Sequence, residues 1–295
     1  MSNYIISCES TVDMPYKYLV ERALPLLFYT YSVGDKVYTD DLGRDPESLP
    51  NFYKMLSEGA IPSTSQINRF QYEEFFEEQL KKGDLIHITL SSGITSGVSN
   101  AQAAAKNVRE KYPDRKITVI DSLGASSGYG MLVETAADMR DDGKSFEEVE
   151  KWILDQRLHI HYQFYVITMD YFKRTGRVSG SLATIATILN ICPMMKFDAD
   201  GKIIAYEKVR GIKNVIRKTA DEMIAHAIDG KNYSGKCYIS HSNCIEAANT
   251  LKNIVLKEFP KLKRNDIKIF DIGTIIASHT GPGTLALFFF GDERK

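Results

Sequence analysis

At 295 residues, with 43% hydrophobic and 25% charged side chains, the chain has ordinary globular usage and enough length for two domains. Its 37 Lys+Arg against 38 Asp+Glu, a formal charge of −1, exclude a protein that neutralises many phosphates with clustered positive charge, so no nucleic-acid partner is expected. Cys8, Cys192, Cys237 and Cys244 form no C-x-x-C pair, no run approaches the roughly 18 apolar residues of a membrane span, and M-S-N-Y-I-I-S-C lacks the basic segment of a signal peptide; the expectation is a cytoplasmic protein.

Strand-length apolar runs alternate with helix-period segments through the first half. Y-I-I-S-C (4–8) predicts a strand, 14–23 a helix and P-L-L-F-Y-T-Y (25–31) a second strand. After a polar loop come helices over 47–56 and 70–80, a strand over 84–90 and a helix over 98–109. A strand over 116–121 and a helix across 129–139 complete the series. Repeated β-α-β units predict a mostly parallel sheet flanked by helices.

A helix over 143–157 leads into a different texture, with strands predicted over 164–169, 193–197, 202–207, 237–241, 266–272 and 284–290. D-A-D-G (198–201) reads as a hairpin turn, and helices fall near 212–227 and 243–257. The fold class is α/β: an N-terminal domain, 1–158, with a mostly parallel sheet, and a C-terminal domain, 159–295, with a mixed α/β sheet.

Open α/β sheets bind ligands beyond the carboxyl ends of their strands. Hydroxyl or glycine clusters collect at such places: E-S-T-V-D (9–13), P-S-T-S-Q (62–66), S-S-G-I-T-S-G (91–97) and D-S-L-G-A-S-S-G (121–128). Each reads in two ways, as a helix N-cap or as an anion site at a helix N-terminus. Ser63, Thr64 and Ser65, and Ser91, Ser92, Thr95 and Ser96, exceed what capping needs. None of the four loops carries the lysine of a phosphate loop, so neutral hydroxyls here suit a single carboxylate better than a polyphosphate. Arg177, in T-G-R-V-S-G, has the geometry to pair with a carboxylate. His279, in the A-S-H-T-G-P-G turn between two strand-like runs, is open to reading as base, acid, donor or structural residue.

G-A-S-S-G (124–128) fits the nucleophile-elbow pattern, and Ser126, Asp271 and His279 follow the chain order of an α/β-hydrolase triad, which makes a serine esterase the alternative function. Against it, D-S-L-G-A separates the strand from Ser126. His159 and His161 share a face with no carboxylate or cysteine at ligand spacing, so no metal is expected there; His87 reads as a core residue.

Taken in order, S-T-V-D (10–13), T-S-Q (64–66), L-S-S-G-I (90–94), I-D-S (120–122), G-R-V-S (176–179) and H-T-G-P-G (279–283) resemble the DegV family of fatty-acid-binding proteins across nearly the whole chain. The resemblance implies a closed apolar tunnel, shared by the two domains, for one long-chain fatty acid. It implies a lipid carrier rather than an enzyme, one that presents the acid to a separate fatty acid kinase for acyl-phosphate formation and phospholipid synthesis. No cofactor is implied, and any membrane contact is transient and superficial. On that pattern Thr64 and Ser92 bond the carboxylate, His279 and Arg177 support the head group, and Ser63 and Thr95 stand second. The chain departs from the family at Glu9, where an aspartate is usual, at Ile67 in place of proline, and at Thr95 and Ser96 in place of serine and glycine.

Overall fold

The computed structural model describes residues 4–177 and 190–295. Strand β1 (Tyr4–Glu9) sits between β2 (Leu26–Leu27) and β6 (Asp84–Thr89), and β7 (Ile117–Asp121) lies beyond β6; all three pairings are parallel. Helices α3 (Arg69–Leu80) and α4 (Gly97–Lys111) pack together against this sheet, as do α5 (Ser126–Asp141) and α6 (Phe146–Gln156). Two helix starts are written locally as capping boxes: Asn68 with Gln71 opens α3, and Ser145 with Glu148 opens α6. The parallel sheet flanked by helices is as the β-α-β pattern predicts.

The second sheet has six strands in the order β10 (Ile203–Arg210), β9 (Ile191–Phe197), β8 (Ile160–Tyr165), β13 (Leu285–Phe290), β11 (Cys237–His241), β12 (Ile267–Asp271). Only β11 and β12 run parallel; the sheet is mixed, as expected. The predicted D-A-D-G hairpin joins β9 to β10. Helices α8 (Ile212–His226) and α9 (Ile245–Glu258) cover one face. Leu285, Leu287 and Phe289 point into the core beneath them, while Ala286 and Phe288 join the core shared with the first half. Burial on both faces explains why L-A-L-F-F-F is continuously apolar rather than alternating.

Four local readings change. The 25–31 run is not one strand: the Tyr29 N–H donates to Ser10 Oγ at 3.1 Å, and the chain leaves the parallel sheet for a small antiparallel one. In that sheet, β3 (Thr30–Val33) takes the end of the predicted 25–31 strand, while β4 (Lys36–Thr39) and β5 (Ser63–Ser65) occupy stretches expected to be loop. The strand placed at 164–169 is β8, four residues earlier, because its polar side chains are satisfied inside: Gln163 Oε1 accepts from Tyr206 at 2.9 Å. His279 lies not in a turn but in the last turn of α10 (Thr274–Thr280). The β-branched T-I-I reads as strand, yet Asp40 Oδ1 accepts from the Thr274 N–H (3.0 Å) and hydroxyl (2.8 Å), which satisfies the start of a helix. Helix α2 (Ser48–Ser57) matches its prediction, α1 (Tyr16–Glu21) is shorter, and α7 (Asp170–Thr175) had no counterpart in the periodicity.

Candidate functional site

Between the first half and the face of the six-stranded sheet opposite α8 and α9 lies a cavity of about 810 Å³, part of it open to solvent. Phe164 of β8, Phe197 of β9, Ile203 of β10 and Ala286 and Phe288 of β13 form one wall. Leu90, Ile94 and Ala125 face them from the first half, and Ile275 and Ile276 come from α10. A mostly apolar cavity with few polar groups is the usual form of a small-molecule site.

Those polar groups include four predicted site residues: Thr64, Thr95, Arg177 and His279 line the cavity. Thr64, central in β5, meets α10, and its Oγ1 lies 3.0 Å from His279 Nε2. Burial, and then the Arg177 guanidinium nearby, lowers the His279 pKa to about 4, so the ring is neutral at neutral pH. Among the described residues its Nδ1 has no hydrogen-bond partner, and neither has Thr280 Oγ1, one residue on and also lining the cavity. Buried polar atoms are rarely left so, and a ligand's polar end is one way to satisfy them. One nitrogen of Arg177 donates to the Thr175 carbonyl. Val178 and Ser179 of G-R-V-S lie outside the described residues. A shallower, more open groove shares Gln66, Thr95 and Arg177 with the cavity and adds Lys202, so the polar end is the end that meets solvent.

Ser63 and Ser92 do not line the cavity. Ser63 neighbours Thr64 on a strand, where successive side chains point to opposite faces, and it is exposed. Ser92 is exposed too; its backbone N–H donates to Asp121 Oδ1 at 3.2 Å. The hydroxyls of 91–96 divide their work. Ser91 Oγ donates to Gly201 O at 2.7 Å, Ser96 Oγ donates to Gln66 Oε1 at 2.9 Å, and Thr95, whose Oγ1 accepts the Gly97 N–H at 3.2 Å, lines the cavity. A Cβ on Gly93 would run into the Gly201 carbonyl, so glycine here lets the loop close against the β9–β10 hairpin.

Ser65, marked in the sequence beside Thr64, lines the cavity too, whereas Tyr29, Gln66 and Thr280 were not singled out. Gln66 sits inside T-S-Q; Tyr29 was hidden in an apolar run. Glu9 explains Tyr29. This fully buried carboxylate accepts from Tyr29 (3.4 Å), Tyr72 and the Leu90 N–H (2.9 Å), and so ties two lining residues to the end of β1.

The esterase triad is not assembled. Ser126 Oγ donates to Asp13 Oδ2 at 2.5 Å, His279 Nε2 meets Thr64, and the exposed Asp271 lies 3.6 Å from His241 Nε2. No base stands on the serine and no acid on the histidine, the two contacts a triad requires. The serines of 9–13 and 121–128 are likewise bonded within the protein, Ser10 to the Tyr29 N–H, Ser122 to the Gly124 carbonyl and Ser127 to Ser240 at 2.6 Å. His87 is a core residue, 2.8 Å from Ser7 Oγ through Nδ1. Among the described residues no helix is long and apolar enough to cross a membrane.

A family model described as "Uncharacterised protein, DegV family" matches residues 4–292. A DegV domain-containing protein of Clostridium perfringens is 33% identical, each chain covered in full. Among solved structures, a DegV lipid-binding protein of Thermotoga maritima superposes with a TM-score of 0.83 at 26% identity, both chains covered in full. The Fak B3 (fatty acid kinase) protein of Streptococcus pneumoniae, loaded with linoleic acid, gives 0.83 at 25% identity, over 99% of this chain and 100% of that one.

Proposed function

The chain belongs to the DegV family, and on that premise we propose that it binds one long-chain fatty acid, tail in the apolar cavity and carboxylate at the Thr64, Thr95, Arg177 and His279 end. The observation that carries this reading is a pair of buried atoms without a partner among the described residues, His279 Nδ1 and Thr280 Oγ1, on residues lining a mostly apolar space. A neutral imidazole that accepts the Thr64 hydroxyl on Nε2 keeps its proton on Nδ1, where it donates to a carboxylate oxygen. Arg177 supplies the positive charge. Ser63 and Ser92 drop out of the contact set, and Thr95 takes the place expected of Ser92.

Burying a sixteen-carbon tail at about 0.8 kcal/mol per CH₂ contributes on the order of 12 kcal/mol before costs. Each hydroxyl hydrogen bond contributes about 1 kcal/mol net. The tail therefore sets affinity and the polar end sets orientation. In this reading a boundary near 158 assigns the hydroxyl loops to one domain and the phenylalanine wall to the other. The protein is a cytoplasmic carrier without catalytic residues of its own. The acid's polar end opens toward the groove at Arg177 and Lys202, where a separate fatty acid kinase reaches the carboxylate.

Organic extraction of purified protein, with mass spectrometry, tests the first step. One equivalent of a C16–C18 acid, or uptake of one equivalent of added oleate, is expected; neither being found would sink the proposal. For the second step, the loaded protein is mixed with a bacterial fatty acid kinase and ATP. Acyl phosphate should form, and a loaded protein that yields none with a kinase active on other carriers would refute the partnership while leaving the lipid site intact.

A further inference from the structure

His161 in β8, His226 at the last position of α8 and Asp292 just beyond β13 come from separate parts of the chain and meet in a second cavity of about 540 Å³. Phe197 is the one described residue it shares with the lipid cavity. Asp292 Oδ1 lies 3.0 Å from His161 Nε2 and 3.1 Å from His226 Nδ1. The two imidazoles stack at 4.9 Å, 23° apart, and His161 also stacks on Phe289 at 5.1 Å. The three candidate ligand atoms all lie within 4.8 Å of one another.

We propose that His161 Nε2, His226 Nδ1 and an Asp292 carboxylate oxygen form a binding site for a divalent transition-metal ion of the zinc class. A tetrahedral ion with bonds of about 2.0–2.1 Å spaces its ligands by about 3.3 Å, close to the separations from Asp292 to each ring. Two imidazoles and one carboxylate suit zinc, and fit poorly the all-oxygen shells of magnesium or calcium. Lys196 and Lys295 also line the cavity, so binding here does not rest on accumulated negative charge. The Asp292 carbonyl, 2.9 Å from His161 Nε2, offers a further oxygen.

The backbone holds the three residues in register. The Asp292 N–H donates to the His226 carbonyl at 3.1 Å, and the Gly291 N–H donates to the His159 carbonyl at 2.8 Å. A side chain on Gly291 would strike the His226 carbonyl and come within 2.7 Å of the His161 ring, so the close approach of α8 to β8 requires glycine there. The ring of His161 is only 7% exposed, so packing fixes its position. The pattern escapes a sequence search because the carboxylate lies 131 residues from the buried histidine.

Zn²⁺ titrated calorimetrically into chelator-treated full chain should bind with one equivalent, and Co²⁺ at the same site should give the visible absorption of a low-symmetry ion. His226→Ala and Asp292→Asn change partly exposed positions, and their folding is checked by thermal melts in chelator. Each should weaken Zn²⁺ by at least about tenfold, since even supporting groups around a metal are worth 10–100-fold. Absence of one-equivalent binding by the wild type overturns the proposal. So does affinity within tenfold of wild type in either folded variant.

Discussion

The two faces of the six-stranded sheet carry similar side chains and do different things. On β13, Leu285, Leu287 and Phe289 enter a core completed by α8 and α9, whereas Ala286 and Phe288 line the cavity. The contrast shows how a binding cavity arises with no special composition: one face is closed by α8 and α9, and the other, on which α5 packs, also borders the cavity. Leu287→Ala should therefore cost about 2–5 kcal/mol in denaturant unfolding, as for other fully buried leucines. Ala286→Leu should cost less and yet lower oleate affinity by at least about tenfold, because the added atoms enter ligand space. Equal destabilisation by the two, with oleate affinity unchanged, would erase the distinction between the faces.

Acid sharpens the contrast at the cavity. The folded-state pKa of His279 is lowered to about 4 by burial and Arg177, below the ordinary value of 6.5. Between those values the unfolded chain binds the proton and the native chain does not, so this residue's contribution is present above about pH 6.5 and is lost as pH falls toward 4. The slope is at most about 1.4 kcal/mol per pH unit. Urea unfolding at pH 7 and pH 5 should show ligand-free wild type losing up to about 2 kcal/mol more than His279→Gln. Identical losses would mean that the ring is not held neutral by its surroundings.

Most of the architecture was legible because strands buried on both faces and helices with capping boxes advertise themselves locally. Asn68 with Gln71, Ser145 with Glu148, and the D-A-D-G hairpin needed no tertiary knowledge. What escaped depended on partners far along the chain. T-I-I-A-S-H is helical because Asp40 stands at its start, and 25–31 breaks because Ser10 takes the Tyr29 N–H. The candidate site follows the same rule. Composition marked the hydroxyl loops, but it did not distinguish Thr95, which lines the cavity, from Ser91, which secures a hairpin. Nor did it show that Ser126, in a nucleophile-like pattern, belongs to Asp13.

The smallest expected effects discriminate most finely, because they separate hydroxyls a few residues apart. Thr64→Val keeps shape and removes one hydrogen bond to the head-group end, so oleate affinity should fall about 3- to 10-fold, near 1 kcal/mol. Thr95→Val should behave alike. At Ser92 the outcome should be flat. Its side chain is exposed, and the bond to Asp121 comes from the backbone N–H, which alanine retains. Ser92→Ala should therefore change stability by less than about 0.5 kcal/mol, with oleate affinity unchanged to within twofold. Measured together by fluorescent fatty-acid displacement, the three variants separate composition from orientation. A tenfold loss at Ser92 with none at Thr95 would mean that Ser92, and not Thr95, bonds the carboxylate.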